Sequence, residues 1–218
     1  MIARLVALAA VLALTGCGAE TPDYQSIWSS STTTTPTSTE APVPIGQYLE
    51  SVGVTGGPVA PEKLTDLTVS FPTPAGWHKY ENPNLAPGTR MIAKGDTYPT
   101  AMLMVFKLHG DFDVDEALKH GFADAELSQN FRRLNASTEK FRGFPSAMIE
   151  GSYDLNGARM HTYNRIVIAT GAPPERNRYL IQFTVTGYAD KAAEEAPDIE
   201  SIIKGFTVAV PDPKPKPR

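Results

Sequence analysis

The only cysteine of this 218-residue chain is Cys17, in the run Leu14-Thr15-Gly16-Cys17. A lone thiol can serve as a nucleophile, a redox centre or an acceptor for a covalent group, but it cannot close an internal disulfide. The four histidines, His78, His109, His120 and His161, lack the HExxH spacing that sets two imidazoles on one helical face, and no cysteine cluster accompanies them. No metal site is expected from them. No GxSxG elbow raises one serine above the others, although a Ser/His/Asp triad can assemble from distant residues. No glycine-rich strand-to-helix turn is present to cradle a phosphate, and no cofactor is expected.

The alternating acids Asp111, Asp113 and Asp115 raise a calcium-loop reading. That loop needs glycine at its sixth position and a bidentate glutamate at its twelfth, where this chain has Glu116 and Phe122. The same residues suit a helix start, with Asp113 as N-cap and Glu116 completing a capping box at the positive end of the dipole.

The chemistry at Cys17 is decided by what precedes it. Arg4 gives a positive n-region, and 5–14 (LVALAAVLAL) is an apolar run about half the ~20 residues a spanning helix needs. That is a secretory signal, and Leu-Thr-Gly-Cys resembles the bacterial lipobox, in which lipid is attached to the cysteine sulfur and the chain is cut just before it. Residues 1–16 then leave as signal peptide, and Cys17 becomes a lipidated N-terminus with no free thiol. Two or three acyl chains, each buried methylene contributing about 0.8 kcal/mol, hold such a protein to a membrane. The formal net charge of -4 offers no footprint for nucleic acid and no attraction to anionic headgroups.

Residues 17–44 include the tract 29–39, SSSTTTTPTST, which cannot bury enough apolar surface to fold. It reads as a linker of about 30 Å mean reach, suited to O-glycosylation. Alternate prolines make 211–218 a disordered tail. A single folded domain is expected over 45–210.

Within it, Ile45, Tyr48, Leu49 and Val52 repeat at helical spacing before Gly53. Strands are expected over 67–71, 77–80, 91–94 and 100–108, the last apolar enough to be central and covered on both faces. A helix follows over 113–129, from the spacing of Val114, Ala117, Leu118, Gly121, Phe122 and Ala125. Strands over 135–141, 147–153, 159–169 and 178–186 form an antiparallel meander, with Asn156-Gly157 as a type I′ hairpin turn. A last helix carries Ile199, Ile202 and Ile203, with Pro197 in its first turn, and 206–210 adds an edge strand. The class is α+β, a central antiparallel sheet of about seven strands flanked by helices.

Met102, Met104, Met148 and Met160 fall on these strands, and methionine adapts to irregular apolar shapes. They are the candidate apolar ligand surface for an acyl chain, or they fill the core. Phe131, Phe141 and Phe144 could make an exposed aromatic patch, and Arg132, Arg133, Arg176 and Arg178 either meet anionic groups or form a solvated edge.

The lipobox, the Ser/Thr linker and the runs IGQYLESVGV, LTVSFPTPAGW, DFDVDEAL and IIKGFTV together resemble the mycobacterial LpqN/LpqT-type lipoproteins. The resemblance covers nearly the whole mature domain and none of these runs is a catalytic motif. It implies a PsbP-like fold, a central antiparallel sheet with helices on both sides. It also implies a non-enzymatic protein of the cell envelope, anchored by lipid on the extracytoplasmic face of the membrane and partly shed. The partners it implies are envelope glycolipids of mycolate type or the membrane transport proteins that export them. A protein adaptor without a pocket, and an unrecognised hydrolase, stay as alternatives.

Overall fold

The computed structural model describes residues 41–211. The signal segment, Cys17, the Ser/Thr tract and residues 212–218 lie outside the described residues. Helix α1 (Ile45–Ser51) buries Ile45 and Leu49, as its spacing requires, and ends before Gly53 at φ 82°. Strand β1 (Thr55–Pro58) was not foreseen, because Thr-Gly-Gly-Pro carries no apolar alternation. After a 3-10 turn come β2 (Thr68–Ser70), β3 (His78–Lys79), β4 (Arg90–Ala93) and β5 (Thr100–His109). β5 is buried at every residue from Thr100 to Phe106, the central strand its composition predicts. Its outer edge is shared, β4 pairing with its first part and β1 with its last.

The helix expected over 113–129 is instead two short helices, α2 (Val114–Lys119) and α3 (Ala123–Glu126). The break falls at Gly121, which lies so close to β7 that a Cβ there would stand 2.6 Å from the Cβ of Ala147. The helical period continues through the break, so spacing could not reveal it. Asp113 caps α2 by accepting from the backbone N–H groups of Asp115 (2.9 Å) and Glu116 (3.0 Å). Glu116 turns to Lys119 instead of reaching back, so half of the capping box forms.

The meander follows: β6 (Arg132–Ser137), β7 (Ser146–Leu155), β8 (Ala158–Thr170) and β9 (Arg178–Tyr188). The first of these ends earlier than the expected 135–141. Phe141 and Phe144 close a separate turn, and Phe141 stacks on Phe206 at 5.1 Å instead of forming an exposed patch. Asn156 (φ 49°) and Gly157 (φ 79°) make the left-handed turn between β7 and β8. The sheet runs β3-β4-β5-β9-β8-β7-β6, with β1 on the free part of β5.

Helix α4 (Ala192–Gly205) holds Pro197 in its interior, not its first turn. The carbonyl left without an N–H partner is that of Ala193, and both residues are exposed, so water can satisfy it. Strand β10 (Thr207–Ala209) does not extend the main sheet; it pairs with β2 as a separate two-stranded ribbon.

Two cores result, one on each face of the sheet. On one face α4 and the ribbon cover Leu103, Ile181, Val167 and Phe183, and Phe183 stacks on Phe206 at 4.2 Å. On the other, α1 and α2 cover Met91, Phe106, Ile168 and Leu180.

The loop joining β8 to β9 is held by one buried carboxylate. Asp66, only 2% exposed, accepts from the Tyr179 hydroxyl at 2.6 Å and the Asn177 N–H at 3.0 Å, and its carbonyl accepts from Ala172 at 2.7 Å. Gly171 is required there, since a Cβ would stand 2.1 Å from the carboxylate. Asp66→Ala leaves both donors unpaired and is expected to lower stability by about 3 kcal/mol, read from urea unfolding at neutral pH.

Candidate functional site

Antiparallel register decides which side chains meet on the face carrying α1 and α2. Met104, Gln182, Ile166 and Ala147 lie in one cross-strand row; Met102, Thr184, Asn164 and Ile149 form the next; Thr100, Thr186, Thr162 and Gly151 the third. Two central strands, β9 and β8, thus present a block of hydroxyls and amides in the middle of an otherwise apolar sheet. α1 and α2 do not reach this end of the sheet, and α3 walls it from the side. The result is a cleft of about 470 Å³, open to solvent and lined by the β5, β8 and β9 members of these rows other than Thr100, together with Ala125, Ser128, Tyr153 and Leu155. That size lies within the range of small-molecule sites.

The polar floor is largely self-satisfied. Asn164 donates from Nδ2 to Thr162 Oγ1 at 3.1 Å, its Oδ1 accepts from the Thr184 hydroxyl at 2.9 Å, and Thr162 and Thr186 share a bond of 3.2 Å. Gln182 differs: it is 7% exposed, and its Oε1 accepts no hydrogen bond. Burial pushes the Tyr153 phenol up to about 12, with Tyr98 nearby adding to the shift and a bond to Thr186 opposing it.

Charge at the cleft is sparse. Arg165 borders it, but its guanidinium is turned to the opposite face, bonded to the Tyr163 hydroxyl (2.7 Å) and lying 4.6 Å from the Phe141 ring centroid. Asp154 is held below the ordinary carboxylate range by its hydrogen bonds from Arg159 (2.8 Å) and Asn130 (2.7 Å). Asp124 also lines the cleft, and loss of solvation raises its carboxyl.

The structure separates the four methionines. Met102 and Met104 border the cleft, both buried. Met160 shares that face by register but lies beyond the cleft, at 1% exposure, while Met148 pairs with Arg165 and enters the opposite core. Cys17 lies outside the described residues. The polar lining residues escaped the sequence reading, although Gln182, Thr184 and Thr186 alternate with Phe183 and Val185. That alternation is also what a strand with one solvated face would show.

No histidine lines the cleft. His120 stacks on Tyr48 at 4.3 Å and bonds the Val43 carbonyl through Nδ1, and His161 meets Glu150 at 3.1 Å. Among the described residues no three His, Cys, Asp or Glu side chains are placed to hold a metal, and no helix is long and apolar enough to cross a membrane. What the lining offers is hydrogen bonding and apolar contact, with no nucleophile beside an imidazole base.

The family described as Probable lipoprotein LpqN matches residues 41–209. The chain belongs to this lipoprotein family. It is 62% identical to the lipoprotein LpqT of Mycobacterium tuberculosis over 210 residues, covering 95% of this chain and 92% of that protein. The LpqT of Mycobacterium leprae is 56% identical over 193 residues, 88% of each chain. The Proline-rich 28 kDa antigen of Mycobacterium tuberculosis is 34% identical over 165 residues, 74% of this chain and 52% of that one. Among solved structures, the crystal structure of LpqN of Mycobacterium tuberculosis aligns with TM-score 0.65 at 19% identity, over 78% of this chain and 98% of LpqN. The fold of the LpqN family is therefore the α+β sheet described above. The solution structure of PsbP from the cyanobacterium Synechocystis aligns at TM-score 0.44 over 70% of this chain and 98% of that one, with 12% identity.

Because the Tyr153 phenol keeps its proton to about pH 12 in the fold while an unfolded phenol ionises near 10, Tyr153 adds a constant contribution below pH 10 that is lost as pH rises from 10 to 12. Tyr153→Phe lacks this titration. Urea unfolding at pH 9 and pH 11 is expected to show the variant gaining stability relative to the wild type at the higher pH.

Proposed function

We propose that the mature protein is a lipid-anchored, extracytoplasmic binding protein without catalytic activity, whose cleft holds the head and first chain segment of an envelope glycolipid of mycolate type. It works beside the membrane transport proteins that move such lipids outward. The observation that carries this reading is the cleft itself: a hydroxyl-and-amide floor bordered by Met102, Met104 and Ile166. Such a lining suits an amphiphile whose head accepts and donates hydrogen bonds while its first methylenes meet apolar side chains, each contributing about 0.8 kcal/mol. The cleft is too small to enclose a long chain, which leaves the remainder at the membrane or on a partner.

Three further observations support it. The family is one of lipoproteins, and the run Leu14-Thr15-Gly16-Cys17 after an apolar segment resembles a lipobox. The related LpqN is described as involved in cell envelope biogenesis of Mycobacterium tuberculosis. The pocket beside Met102 and Met104 favours a ligand over an adaptor that docks through a flat surface. The proposed organisation is a signal over 1–16, a lipidated linker over 17–44, one domain over 45–210 and a proline-rich tail.

The test is mass spectrometry of organic extracts from the mature protein, purified without detergent from a mycobacterial host beside an unrelated secreted control. A glycolipid enriched to near-stoichiometric amounts is expected, and a clean extract would sink the ligand reading. Cys17→Ala is expected to move the protein from the membrane pellet to the soluble fraction; retention in the pellet would refute the anchor.

A further inference from the structure

We infer that residues 23–28 (DYQSIW) of the protein's own linker occupy the open cleft whenever it holds no other ligand. This holds whatever external ligand the cleft takes.

Between Gly18 and Glu40 the only large apolar side chains are Tyr24, Ile27 and Trp28. A spacer gains nothing from two aromatic rings and an isoleucine, whose apolar surface is unfavourable in water. Tyrosine and tryptophan join an apolar body to a polar tip, and they suit a surface that mixes both characters. The cleft offers that mixture, with Met102, Met104 and Ile166 beside the hydroxyls and amides of Thr162, Asn164 and Thr184. Methionine sulfur against an aromatic ring adds a favourable contact. The volume of about 470 Å³ admits side chains of this size.

The path of the chain brings the segment to the same place. The Val43 carbonyl is bonded to His120 Nδ1 at 3.0 Å, and the His120 ring stacks on Tyr48 at 4.3 Å. The next residue, Gly121, lines the cleft, as do Ala125, Ser128 and Gln129 after it. The linker therefore meets the folded domain beside the cleft. Residues 29–42 separate Trp28 from Val43, and a coil of that length has a mean reach of about 20 Å. So short a tether holds the segment at an effective concentration on the order of 1 mM, and an intrinsic dissociation constant of about 0.1 mM then seats it roughly nine-tenths of the time. An external ligand has to displace it, which weakens that ligand's apparent affinity about tenfold. The proline-rich tail is no equal candidate, because it follows β10, whose Val208 packs under α4 on the opposite face.

The test uses the mature chain carrying Cys17→Ala, which leaves it without cysteine. Trp77, the only other tryptophan, is 6% exposed, so iodide quenching reports Trp28 after subtraction of the Trp28→Ser signal. The quenching constant of Trp28 is expected to be at least about threefold lower than in Ser128→Phe, where a ring fills the cleft. A second arm pairs Ile27→Cys with Ser128→Cys, or with Glu200→Cys on the exposed surface of α4. The Ser128→Cys pair is expected to close an intrachain disulfide about tenfold faster, at a rate unchanged by dilution. Equal quenching with and without Ser128→Phe, or equal closure of the two pairs, would overturn the docking. A rate that falls on dilution would overturn it too, by assigning the segment to a second copy. If Ser128→Phe fails to fold, the paired cysteines decide.

Discussion

The antiparallel register across β5, β9, β8 and β7 is the constraint on which everything else depends. Both faces of these strands are covered over most of their length, so the parity of each residue decides which core it joins. In β9 the odd positions Tyr179, Ile181, Phe183 and Val185 enter the core under α4, while Leu180, Gln182, Thr184 and Thr186 turn to the other face. A slip of one residue would drive Gln182 and the threonines into the Phe183 stack and expose Phe183 itself, which is fully buried. The pairing of β9 on both sides prevents that slip, and so holds the cleft floor in place as a by-product of holding the core.

The two faces are covered unequally, and the inequality makes the site. Under α4 the layer is continuous: Ile202, Phe206 and the ribbon of Val69 and Val208 pack on the sheet, and Phe141 and Phe71 extend the aromatic contacts around Phe183 and Phe206. Trp77 and Lys94 both bond Asp198, tying the middle of α4 to the loops and strand beside it. On the opposite face the helices are short, and α2 stops where Gly121 meets Ala147. Beyond that point only the short α3 stands beside the sheet, and hydroxyls and amides occupy much of the floor. A rigid floor under a partly open face is a suitable platform for a ligand, because the side chains that meet it are already ordered.

The relatives divide the same way. Similarity to LpqT extends over nearly the whole chain at 62% identity, while LpqN shares the fold at 19% identity. The alternation that builds two cores tolerates exchange among apolar residues of similar size, so the architecture can persist while most side chains differ. A cleft floor set by a few polar residues has no such tolerance, which is why the chemistry of this chain has to be read from its own residues.

Much of the protein was decided by short-range pattern. The apolar run ending in Leu-Thr-Gly-Cys, the Ser/Thr tract, the Asn156-Gly157 turn, the Asp113 cap and the alternation of the long strands are all visible in the sequence because each depends on neighbours a few residues away. Most of the sheet was legible for that reason. The rest was decided by contacts between distant residues. The β2–β10 ribbon joins Ser70 to Thr207 across 137 positions, the break between α2 and α3 exists because Gly121 touches β7, and Asp66 holds a loop more than 100 residues downstream. The site belongs to this second group. Polar residues at every other position in β8 and β9 look from sequence like a solvated face; only the helices above them, which stop short, and the opposite core beneath them make Gln182 a buried acceptor at the base of a cleft. Local pattern determines which residues alternate, and the packing of distant elements determines which of the two faces is closed.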